Sequence, residues 1–97
     1  MVDYELTLPN DFDDYAWEVE SKGWCSLAVV RFEGKQYRLN FYDPERLAYD
    51  VKNTLENHNW FIDDNVIVVK SVDRIQMQDA AEYLVKSGRI NFFRPET

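Results

Sequence analysis

The alternation of apolar and polar residues changes period several times along the chain, and each change marks an element. Tyr4-Glu5-Leu6-Thr7-Leu8 alternates, which predicts a short edge strand ending at Pro9, whose missing N–H cannot extend a ladder. Residues 24–32 form an almost unbroken β-branched and aromatic run, and over 37–42 Tyr37, Leu39 and Phe41 alternate with Arg38, Asn40 and Tyr42. With Glu33-Gly34-Lys35 between them, these runs predict a β-hairpin.

The period then lengthens. Asp43 is placed to accept from free amides, Pro44 has the φ of a first helical residue, and Leu47, Val51 and Leu55 follow every fourth position, with Ala48 and Thr54 widening the stripe. A helix over 44–57 is expected. Residues 65–70 are a short apolar run of the kind found in a central strand covered on both faces. A second helix, 74–87, is signalled by Asp73 and Gln76 as a capping box, by Met77, Ala80, Ala81, Leu84 and Val85, and by Gly88 at its end. Arg89-Ile90-Asn91-Phe92-Phe93 reads as a last strand.

Residues 10–22 fit two patterns. Phe12, Ala16 and Val19 suit a helix capped by Asn10 and closed by Gly23, whereas Tyr15, Trp17 and Val19 suit a strand. Acids in the first turn favour the helix, because they face the positive end of the backbone dipole. The whole chain, 1–97, then reads as a single α+β domain: a small mixed sheet of about four to five strands with an N-terminal β-hairpin. The helices at 44–57 and 74–87 are expected on one face, leaving the other to the amino-terminal segment or a second copy.

Composition narrows the functional classes. The formal net charge is −7, and residues 1–23 hold seven acids against one lysine, so −6 of it lies at one end. A surface of that sign does not neutralise phosphates, which argues against nucleic acid as partner. The single Cys25 sits within an apolar run and reads as a core thiol in a reducing compartment. The acidic start has no apolar stretch behind it, and no run approaches the length of a membrane span, so a cytoplasmic protein is expected.

Chemistry is sparse. One histidine, His58, comes just after the 44–57 helix, where its charge would suit the carbonyl end, and Cys25 lies in a strand rather than at an activating helix start. Too few Cys and His residues exist for zinc, and Asn10-Asp11-Phe12-Asp13-Asp14 lacks the glycine of a calcium loop. The three glycines fall at turns and caps rather than in a phosphate cradle. These patterns lead to an expectation of no catalytic residues, no metal and no cofactor.

The stretch Phe41-Tyr42-Asp43-Pro44-Glu45-Arg46-Leu47-Ala48, the strand at 65–69 and the helix running to Gly88 resemble a group of small bacterial proteins. Some of these are similar to immunity partners of secreted toxins. The resemblance spans residues 39–93, and its signature is a capped helix. It implies an inhibitor of a protein partner and carries over no functional residue. Together with the acidic end, it leads to a non-enzymatic protein-binding domain facing a basic partner through Asp11, Asp13, Asp14, Glu18 and Glu20. Trp60 and Phe61, in a polar loop, are the aromatic candidates. The competing reading is a small-molecule-binding or enzymatic domain with its site built across a homo-oligomer, and a plain homodimer covering the bare sheet face is the third.

Overall fold

The computed structural model describes residues 3–96. Met1, Val2 and Thr97, the ends of the amino-terminal segment and the polar tail, lie outside the described residues. The elements run in the order β1 (Glu5–Thr7), α1 (Phe12–Lys22), β2 (Trp24–Phe32), β3 (Lys35–Tyr42), α2 (Pro44–Asn57), β4 (Val66–Val68) and α3 (Arg74–Lys86), and the chain then makes a 3₁₀ turn at Arg89–Phe92. The fold is α+β, a four-stranded mixed sheet ordered β1-β2-β3-β4.

The hairpin is the spine of the sheet. Glu33 and Gly34 both take positive φ, 51° and 78°, as a tight two-residue turn matched to strand twist demands. Pairing then runs from Phe32↔Lys35 to Trp24↔Tyr42, interrupted between Cys25 and Ala28. There Ser26 and Leu27 together oppose Asn40, so the extra residue lets both Cys25 and Ala28, three apart, face the core. β1 adds antiparallel at Glu5↔Arg31 to Thr7↔Val29, and β4 adds parallel at Asn40↔Val66 to Tyr42↔Val68.

The core lies beneath one face only. Val30, Tyr37, Leu39 and Phe41 meet Met77, Ala81, Leu84 and Val85 of α3, Phe12 of α1 and Ile90 of the 3₁₀ turn. α1 therefore joins α3 on the core side. α2 does not: none of its residues is buried, and the core cluster contains none of them. It begins instead on the opposite face, where Arg46 lies over the Trp24 ring at 5.2 Å and where Tyr42, adjacent to the core residue Phe41, is buried outside the core cluster. The expected pairing of 44–57 and 74–87 on a single face is thus replaced by α1 with α3. Strand period is the reason, since Trp24 and Tyr42 project away from Cys25 and Phe41.

Three local expectations also change. The 65–70 run supplies an edge strand of three residues rather than a central one; Ile67 packs against the core, Val69 and Val72 just after the strand are buried in it, and Val68 stays exposed. The expected strand at 89–93 is instead a 3₁₀ turn over Arg89–Phe92: Gly88 at φ 76° redirects the chain and Ile90 drops into the core. The capping residue of α1 is Asp11 rather than Asn10, and its side chain makes no capping bond. Asp43 and Asp73 cap as expected, accepting from Arg46 N at 2.7 Å and Gln76 N at 2.8 Å. Gln76 completes only half a capping box, its Oε1 accepting from Ser71 N at 3.1 Å.

Candidate functional site

Residues 12–22 are a helix because its three inward positions, Phe12, Ala16 and Val19, recur at 3.6-residue spacing and bury against the core. Gly23 ends it in the left-handed conformation at φ 70°, donating its N–H to Val19 and Glu20 carbonyls. Everything polar is consequently displayed outward. Asp11, Asp13, Asp14 and Glu20 are exposed, and Glu18 is half-buried. Asp13 pairs with Arg74 of α3 at 2.7 Å, and that guanidinium also lies 5.1 Å over the Phe12 ring. Among the described residues, the other four acids have no ion-pair partner.

Helical spacing sorts the acids into two flanks. Asp11, Asp14 and Glu18 share a side with Tyr15 and Lys22, while Asp13 and Glu20 lie toward α3. Between the flanks stands Trp17, 69% exposed, with Asp13 and Asp14 one turn before it and Glu20 one turn after. A tryptophan in that setting is unusual for a surface helix. Its indole face is negative, and the surrounding carboxylates add to the attraction for a cation.

On the Tyr15 side a groove of about 240 Å³ separates α1 from β2, walled by Phe12, Tyr15 and Val19 on one side and Trp24, Cys25 and Leu27 on the other. Cys25 is buried at its floor, and burial pushes its thiol pKa up, while the amides of Leu27 and Ala28 pull the other way. Thiol nucleophilicity is suppressed there. His58, the C-cap of α2, is exposed and donates its backbone N–H to Thr54 O at 2.9 Å.

Trp60 and Phe61 sit elsewhere, in the connection between α2 and β4. Trp60 is 65% exposed and Phe61 half-buried. α2 starts against Gly23, where Asp43 N donates to Gly23 O at 2.9 Å, and carries the chain about 20 Å before this pair. The aromatic candidates therefore lie on a different element from the acids of α1, past the end of α2. Beyond them in the chain lies a polar clasp: Tyr42 Oη donates to Asp63 Oδ2 at 2.9 Å, and Asn40 Nδ2 to Asp64 O at 2.7 Å. Asn65 donates to Arg38 O and Arg94 O at 3.0 and 2.7 Å and accepts from Arg94 N at 2.8 Å. Burial and the facing Asp63 push the Tyr42 pKa up to about 12. The clasp locks β4 and the carboxyl-terminal tail to β3.

Trp17, Tyr15 and Leu27 do not stand out as a site in the sequence. Trp17 and Tyr15 fit a strand pattern as well as a helix, and Leu27 lies in a run whose bulge turns it outward. Among the described residues no group of three or more His, Cys, Asp or Glu side chains is arranged to hold a metal ion, and no helix is long and apolar enough to cross a membrane. Compared with known proteins, the chain matches no family model, no curated protein and no solved structure.

Proposed function

We propose that the protein is a non-enzymatic binding domain that docks the acidic helix α1 on a basic protein surface, in the manner of an immunity-type inhibitor. The observation that carries this reading is Trp17, exposed amid carboxylates of which most have no cationic partner among the described residues. Unpaired acids steer a cationic partner and raise its association rate. An exposed tryptophan supplies what steering lacks, a large rigid side chain whose desolvation holds the complex together once formed. The buried thiol of Cys25 supports a reducing compartment, the cytoplasm, as its setting.

The test is affinity capture from the source organism with the intact chain, alongside Trp17→Ala and a triple Asp11→Lys, Asp13→Lys, Asp14→Lys variant. The expected result is a basic protein retained at low salt, released as salt rises, and lost with either variant. Retention indifferent to salt and to both variants would remove α1 from the binding face.

A further inference from the structure

β2 is longer than the strand beside it. Pairing with β1 ends at Thr7↔Val29, and among the described residues no other strand lies along that side of residues 24–28. Pro9 explains the departure of the chain, since it has no N–H to offer and leads directly to the start of α1. The gap it leaves is the groove between α1 and β2. At its mouth Leu27 is 57% and Tyr15 49% exposed, apolar surface that the protein's own core does not use. A volume of about 240 Å³ is enough for one large aliphatic or aromatic side chain.

Charge decides what kind of side chains flank that anchor. Of the charged side chains of α1, Asp11 and Lys22 line the groove at its two ends, and Asp14 and Glu18 stand on the adjoining helix surface. None of the three acids is engaged in an ion pair among the described residues. An acidic or neutral segment would gain nothing from them, whereas a cationic one gains Asp11 within the groove and Asp14 and Glu18 beside it, against the single Lys22. A strand gap, an apolar pocket and an acidic flank beside it together match one mode of recognition, in which an extended peptide adds to a sheet edge and inserts alternate side chains.

We propose that the groove between α1 and β2 receives an extended, basic segment of the partner protein, laid beside residues 24–28 with one large apolar side chain between Tyr15 and Leu27. This deepens the proposed function, on which it rests: the partner contributes not only a basic surface but a strand-forming stretch of alternating cationic and small residues around an apolar anchor. Bases lie toward Asp11, Asp14 and Glu18, and the anchor displaces water from the pocket.

The probe is a synthetic peptide, Arg-Thr-Arg-Thr-Phe-Thr-Arg-Thr-Arg, titrated into the ¹⁵N-labelled full chain. Controls replace its Phe by Ser or every Arg by Glu. Expected are saturable amide shifts confined to α1 and residues 24–28, weakened at least ~tenfold by the Ser peptide, by the Glu peptide and by Leu27→Lys in the protein, a change of more than ~1.4 kcal/mol. Leu27 is exposed, so the substitution leaves the core intact, and Tyr15→Ala provides a second variant that empties the groove without adding charge. The proposal is overturned by absence of saturable shifts, by shifts located elsewhere, or by equal binding of the Phe and Ser peptides. Capture of a basic partner that depends on Trp17 but is unchanged by Leu27→Lys and Tyr15→Ala would reject the groove while leaving the acidic-helix reading standing. Loss of capture by the unaltered protein would reject the latter.

Discussion

Gly23 joins two helix ends, and its lack of a side chain is required twice over. Its φ of 70° is left-handed, and a Cβ there would collide with the carboxylate of Asp43, the residue that caps α2. Gly34 has a similar φ, 78°, but open space around it. Gly23→Ala is therefore expected to lower stability by more than Gly34→Ala, whose cost is only the backbone strain of about 1–2 kcal/mol. Urea midpoints of the two variants check the order, and equal shifts would mean that the Asp43 cap yields without cost. Tyr42 gives a second residue-scale expectation. Its phenol is favoured in the folded state, with a pKa of about 12 against an ordinary value of 10, so the stability it contributes is complete below pH 10 and lost as pH rises toward 12. Denaturation measured between pH 9 and 12 should show a steeper fall for the native protein than for Tyr42→Phe. The capping roles of Asp43 and Asp73 were legible in sequence because a cap is a local spacing. The Tyr42 clasp was not, since Asp63 is 21 positions away.

Elements whose pattern spans many residues were legible: the hairpin, α2 and α3 lie close to where periodicity predicts them. The short runs were misread for a physical reason. At 65–70 and 89–93 a few apolar residues fit a strand, and only tertiary placement tells an edge strand from a central one, or a 3₁₀ turn from either. Periodicity also cannot say which sheet face a helix will cover, and α2 went to the face opposite α3. Its amphipathic stripe consequently does less for stability. Leu47→Ala should cost under about 1 kcal/mol, whereas Leu84→Ala, in the core, should cost about 2–5 kcal/mol. Hydrogen exchange supplies the independent check: amides of α2 should exchange well before those of α3, and equal protection would contradict a helix outside the core.

At the scale of the whole molecule, charge is segregated. The acidity countable in the sequence concentrates on α1, whose inner face is core and whose outer face is carboxylate and tryptophan. Legibility stops part-way here as well: the excess of acids can be read along the chain, but their division into two flanks, the exposure of Trp17 and the gap beside β2 need the helix and the β1 register to be in place. Docking through this helix is tested most sharply by the association rate of the captured partner across ionic strengths. The rate should fall steeply as salt rises, with a flatter, slower profile for the triple Asp11, Asp13, Asp14 reversal and with Trp17→Ala acting chiefly on dissociation. Superimposable salt profiles for the native and charge-reversed proteins would contradict α1 as the docking face.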